Sequence, residues 1–204
     1  MTHPPSGSVP TRRRRDPKGT RDRLVRAALE LFTSQGYHAS TTPQIAARAG
    51  IAEGTIYRHF ESKAHLLNEI YRAGLRLLEK PIHDAPVSLH CRERLLTIAA
   101  EWRVVAIHNP PLVGFLFGAD FGQLLDHKSR ESYRRFHADL ESVIAEGKSA
   151  GEVKAGSVEL WTDVWLRLVI LVLERTASQE WSIQHPAPEQ VLESAWGAIG
   201  MPSS

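Results

Sequence analysis

Apolar residues recur along this chain at three- and four-residue spacing, and no stretch alternates long enough to make a strand, so the pattern predicts an all-α fold. Thr20 to Gly36 opens it with a helix whose Leu24, Ala27, Ala28, Leu31 and Phe32 share a face. A longer helix over residues 63–80 carries Leu66, Leu67, Ile70, Leu77 and Leu78 and is expected to end near Lys80 and Pro81. The proline-bearing stretch IHDAPVSLH then marks a boundary or hinge. Further helices are expected at about 88–107, 127–149, 157–178 and 188–199, with a broken region over 110–124. Between Val164 and Leu173 only Arg167 interrupts an apolar circumference, far short of the ~20 residues that cross a bilayer. A helix apolar on two sides should be buried on two sides, against its own core and against a partner chain. With the closing helix it offers Trp161, Leu168, Val172, Val191, Ala195 and Trp196 as half of a four-helix dimer interface.

The segment TPQIAARAGIAEGTIYRHFESK, residues 42–63, reads differently: two short helices joined by a glycine, followed at once by a third helix start. Thr42 before Pro43 is a start signal, since the hydroxyl can cap free amides and proline suits the first helical position. Gly50 is the residue best able to turn left-handed after a helix. The second helix, Glu53 to Phe60, is too short to stand alone and must be held by packing. At ~100° per residue Ile56 and Phe60 form its core side, leaving Gly54 and Arg58 opposite, with Thr55, His59 and Tyr57 at the edges. A donor-rich edge around a glycine suits a surface pressed against another backbone. Arginine can pair bidentately with guanine, threonine can meet a base edge, and tyrosine and histidine can reach phosphates. The alternative is a solvated helix face. Ser62 caps the next helix and puts Lys63 in its first turn, against the helix dipole, where free amides and an ammonium could together clamp a phosphate.

Residues 28–67, ALELFTSQGYHASTTPQIAARAGIAEGTIYRHFESKAHLL, resemble the N-terminal DNA-binding region of the TetR family of bacterial transcriptional regulators. The resemblance implies an all-helical homodimer with three N-terminal helices for DNA and a divergent C-terminal domain for dimerisation and a small ligand. The expected organisation is a basic arm over 1–19, a helix-turn-helix domain over 20–66 and an effector-binding and dimerisation domain over 67–204. Carried over by position, Thr42 is implied as a phosphate contact, Thr55 and Arg58 as base readers, and Tyr57, His59 and Lys63 as phosphate contacts. Gly54 completes the DNA-facing set. Two positions depart from the pattern. Ala52 stands where a capping serine is common, and Glu53 where a basic or neutral residue is common; by the angle count Glu53 leans back toward the core and the helix N-terminus, away from DNA.

Charge divides the chain in the same way. Residues 1–80 hold 14 Lys and Arg against 7 acids, whereas residues 81–204 hold 11 against 16, so a basic front end sits on an acidic body. The excess begins in a segment rich in Pro, Gly and Ser that contains Arg12, Arg13, Arg14 and Arg15. Such an arm can follow phosphates or enter a narrow minor groove, or can simply solubilise. No apolar run follows it, which argues against a secretory signal. The lone Cys91 cannot form an intramolecular disulfide, fits a reducing cytoplasm and is expected to be a buried structural thiol.

An aromatic group populates the second half of the chain. Trp102, Phe115, Phe117, Phe121, Tyr133 and Trp165, with His108 as a polar neighbour, are expected to line a pocket for a mostly apolar small molecule; plain core is the alternative for each of them. The helix-breaking run NPPLVGFLFGADFG favours a cavity. No metal or cofactor is called for: the ten histidines are scattered and form no HExxH, and neither GxSxG nor a phosphate loop is present. The expectation is therefore a repressor that binds a palindromic duplex operator and is released by a small ligand. The rivals are a DNA-binding protein with a packed second domain that answers to no ligand or to a protein partner and, more remotely, an enzyme.

Overall fold

The structure, a computed structural model, describes residues 17–119, 121–182 and 184–202. Arg12, Arg13, Arg14 and Arg15 lie outside the described residues. The elements in order are α1 (Pro17–Ser34), α2 (Thr42–Arg48), a 3-10 helix (Glu53–Arg58), α3 (Lys63–Asp84), α4 (Cys91–His108), α5 (Pro110–Val113), a π-turn (Gly114–Gly118), α6 (His127–Ser149), α7 (Val158–Ala177) and α8 (Ala187–Ile199). The all-α expectation holds. Among the described residues the sole β contact is an isolated antiparallel bridge between Val153 and Gly200.

α1, α2, the 3-10 helix and the start of α3 form the head. Leu24, Ala28 and Phe32 of α1, Ile45 of α2, Ile56 and Phe60 around the 3-10 helix, and Leu66 and Leu67 of α3 close its core. α1 begins at Pro17, three residues before the expected start. The cap of α2 is Thr41, not Thr42: its hydroxyl receives the Gln44 amide while the Gln44 side chain returns to the Thr41 backbone, a reciprocal capping box. Thr42 is thereby the first helical residue. Gly50 has φ +65°, the left-handed turn that separates α2 from the 3-10 helix.

α3 crosses from head to body without a break and does not stop at Pro81. Proline removes one backbone donor, but the apolar stripe continues through buried Leu78 and Ile82, and the Ala85 amide closes the helix on the Pro81 carbonyl at 3.1 Å. The chain break therefore falls after Asp84. In the body, α4 is central: Trp102 meets Phe136 of α6 and Trp165 of α7, with ring centroids 5.7 and 5.9 Å apart. α7 and α8 pack as a hairpin on the far side.

Head and body meet at the π-turn. Phe115 stacks on Phe32 of α1 at 6.2 Å, and the Thr33 hydroxyl donates to the Pro111 carbonyl at 3.2 Å. α3 comes close because Gly74 has no side chain: a Cβ there would lie 2.7 Å from Leu112 Cδ1 and 3.1 Å from Leu116 Cδ1. Gly74→Val should push α3 off the π-turn and lower the unfolding free energy by about 1–3 kcal/mol, measured by urea denaturation.

Candidate functional site

On the outer side of the head, the 3-10 helix turns its polar edge outward. Ile56 and Phe60 are buried as expected, Gly54, Tyr57 and Arg58 are exposed, and Thr55 and His59 are half-buried. Ala52 precedes the segment without a side-chain cap, so Thr55 and His59 are held by single backbone bonds to Ala52 and Ile56. Glu53 is exposed, not leaning on the core, as the first residue of the uncapped end of the 3-10 helix. Tyr57 reaches α2: its phenol and the Thr42 hydroxyl lie 3.0 Å apart, joining two separately predicted residues into one hydroxyl pair. A Cβ built on Gly54 meets nothing within 4 Å, so packing inside the protein gives no reason for glycine there.

Lys63 departs from expectation. Its ammonium is turned inward and donates to the carbonyls of Tyr37 at 2.8 Å and Ser40 at 2.7 Å, lying 4.1 Å from the centroid of the Tyr37 ring. Burial lowers its pKa. The α1–α2 connection presents two carbonyls that a helix-start lysine can reach, and they satisfy the cation in place of a phosphate. Lys63 is thus a clamp on the head.

The aromatic group separates into core and rim. Trp102, Phe115 and Trp165 are fully buried, and the Trp102 indole donates to the Leu78 carbonyl at 2.9 Å, leaving it nothing to offer a ligand. Phe117 is half-buried against the core and His108 is exposed at the end of α4, bonded to its own helix at Val104. A cavity opens beside them, between α3, the π-turn with the loop that follows it, α6 and α7. It measures about 530 Å³, and of the expected lining residues it retains Phe121 and Tyr133. The others are Tyr71, Leu116, Ala119, Gly122, Leu125 and three arginines, Arg130, Arg134 and Arg167. Sequence reading missed these arginines because helical spacing relates only Arg130 and Arg134 on α6; the packing of α7 beside it brings Arg167 to the same opening. Burial pushes the Tyr71 phenol up to about 12, so it remains a neutral donor.

The expected interface residues also divide. Val172 and Ala195 are fully buried within the chain and belong to its own core, in helices that pack on each other and on α4. Trp161, Leu168, Val191 and Trp196 are half-exposed, as are Val164 and Leu171, and Leu160 is 53% exposed. Leu160, Val164, Leu168 and Leu171 follow one another at helical spacing along the outer side of α7.

Polar contacts tie the cavity loop to the head. Arg72 of α3 donates to both Asp126 oxygens at 2.9 and 3.0 Å, to Ser129 at 2.9 Å and to Glu69 at 2.7 Å; Glu69 in turn accepts from Arg21 of α1 at 2.8 Å. Asn68 adds the Leu124 carbonyl and the Asp126 amide. The hydrogen bond from Arg72 holds the Glu69 carboxyl below its usual range, and Asp126 is likewise held low, its partial burial outweighed by the Ser129 amide and Arg72.

An exposed reading segment braced by two helices defines a helix-turn-helix protein. Residues 24–70 match the family model described as bacterial regulatory proteins, tetR family. The fatty acid metabolism regulator protein of Bacillus subtilis is 29% identical over 136 residues, covering 65% of this chain and 70% of that one. A tetR-family transcription regulator from Shewanella shares the fold at TM-score 0.74 and 22% identity, over 90% of this chain and 99% of that one. FadR from Bacillus subtilis, solved with stearoyl-CoA, does so at TM-score 0.68 and 21% identity, over 87% of this chain and 98% of that one. Residues 24–70 carry the DNA-binding region of the TetR family of helix-turn-helix transcriptional regulators, and the chain as a whole shares the fold of that family. Its relatives are regulators and not enzymes, and no helix among the described residues is long and apolar enough to cross a membrane.

Two outcomes follow from this geometry. Lys63→Ala should cost about 1.5–3 kcal/mol of stability, since two carbonyls lose a charged donor, read as a lower urea midpoint without DNA. Both Glu69 and Asp126 titrate below their unfolded values, so their stabilisation is complete above the ordinary carboxylate range near pH ~4 and is lost as pH falls through the lower folded values. Stability measured from about pH 6 down to about pH 3 should therefore fall less steeply in Arg72→Met than in the wild type.

Proposed function

We propose that the protein is a homodimeric repressor that reads a palindromic duplex operator with its 3-10 helix and is released when a small molecule enters the cavity beside α6. Gly54 carries the DNA reading. It has open space on all sides and an ordinary backbone angle, so its lack of a side chain is explained by the close approach of another molecule. Arg58 and Thr55 are the base readers in this proposal, and Tyr57 with Thr42 forms a phosphate contact, flanked by His59. The basic head on an acidic body supports it.

The dimer is supported by the half-exposed stripe Leu160, Val164, Leu168 and Leu171 with Trp161, Val191 and Trp196 beside it. Joining two such stripes would bury it and set two heads about one turn of DNA apart. Release is supported by the cavity wall: Leu116 and Ala119 line the cavity, while Phe115 and Gly114 of the same turn bear on α1. A ligand acts only by preferring one arrangement of the heads, and one that displaces this wall must move what α1 and α3 rest on. A coupling of about 1–3 kcal/mol corresponds to a ~5- to 150-fold change in operator affinity.

Selection of bound duplexes from a random library tests the reading. Selected sites should be inverted repeats whose affinity falls steeply with salt. Arg58→Ala should lose about 1–3 kcal/mol of discrimination at particular base pairs, and Gly54→Val should abolish binding with the thermal unfolding curve unchanged. Leu168→Asp should dissociate the dimer in sedimentation. Equal binding to selected and scrambled duplexes, or a stable wild-type monomer at micromolar concentration, would refute it.

A further inference from the structure

We infer that the molecule this cavity takes is an anionic amphiphile, with an apolar chain on Leu116, Phe121 and Leu125 and an acidic group held by Arg130, Arg134 and Arg167. The inference rests on the proposal that the cavity is the effector site and specifies its ligand. Every polar side chain among the described lining residues is a potential donor: two phenols and three guanidiniums, with no carboxylate or carboxamide. Arg130 and Arg134 stand one turn apart on α6, and Arg167 reaches the same opening from α7. Neither Arg134 nor Arg167 has an ion-pair partner among the described residues, and Arg130 donates only to the Leu125 carbonyl.

Among the described residues, carboxylates of α6 and of the start of α7 face other groups. Asp126 is on Arg72, Glu131 faces His127, Asp139 faces His83, and Glu141 and Asp163 flank His137. Three like charges therefore share one opening in a body whose residues 81–204 carry an acidic excess of 16 to 11. Among the described residues no carboxylate offsets their mutual repulsion, whereas one anion would meet all three, bidentately where geometry allows. Tyr71, kept protonated, adds a neutral donor beside Tyr133. The apolar side matches the other half of the ligand, and about 530 Å³ lies within the range for small-molecule sites. Binding would also draw Arg130 from the Leu125 carbonyl, the loop that Asn68 and Arg72 tie to α3 and the head.

The test compares dodecanoate, dodecanoyl-CoA and dodecanol on the full-length protein by calorimetry and by release of a selected operator, in wild type and in Arg134→Gln/Arg167→Gln. At least one of the two anions should bind about tenfold or more tightly than dodecanol, and the double variant should lose that preference while keeping its dodecanol affinity, melting temperature and ligand-free operator affinity. Dodecanoate binding identifies a carboxylate as sufficient; binding by the thioester alone assigns the anion to phosphate. Equal binding of all three, or an anion preference that survives in the double variant, overturns the anionic class and leaves the effector cavity standing. If none binds and none shifts operator affinity, the effector-site reading falls as well.

Discussion

The guanidinium of Arg72 holds the seam on which this molecule depends. It projects from the middle of α3, is mostly shielded from water, and joins Asp126 and Ser129 at the start of α6 to Glu69, which reaches α1 through Arg21. An exposed ion pair contributes little, but a planar donor with three partners in fixed directions specifies a geometry as well as an energy. Because Asp126 also caps α6 through the Ser129 amide, the same carboxylate orients the helix that carries two of the cavity arginines. Head orientation and cavity shape thus share one set of contacts.

The π-turn supplies a second connection, through packing. A wider turn places one extra residue in a helical run, and here glycines bound the segment at Gly114 and Gly118. One side presents Phe115 to Phe32 and Tyr71; the other presents Leu116 to the cavity. Close-packed interiors shift by discrete rearrangement rather than by compression, so a displacement of the cavity wall would pass to α1 through this turn. Gly74 sets how closely α3 follows that wall.

The head is rigid where it faces the body and sparsely held where it faces outward. Lys63 closes the α1–α2 connection onto α3, and the Thr41–Gln44 box fixes the start of α2, whereas the 3-10 helix is uncapped and offers its edge to solvent. This gradient suits a surface that completes its contacts only against a partner. It also explains why a helix-start lysine, which by charge alone looks like an anion site, is occupied from within: the Tyr37 and Ser40 carbonyls of the α1–α2 connection are already in reach.

Helical periodicity by itself determined the fold class, most element limits to within a few residues, and the core side of the reading segment, because burial of Ile56 and Phe60 depends only on local geometry and on what precedes them. The glycine turn, the serine cap of α3 and the charge division were equally legible, each being a property of contiguous residues. Tertiary structure decided the rest. Which aromatic residues are core and which line a cavity depended on whether α6 and α7 meet over Trp102; they do, and the indole found a carbonyl. Whether Val172 and Ala195 face inward depended on how α7 and α8 rotate against α4. The arginine cluster was invisible for the same reason: Arg130 and Arg134 share a helix, but Arg167 lies 33 residues beyond Arg134, and side chains on different helices converge only when packing sets the helix rotations.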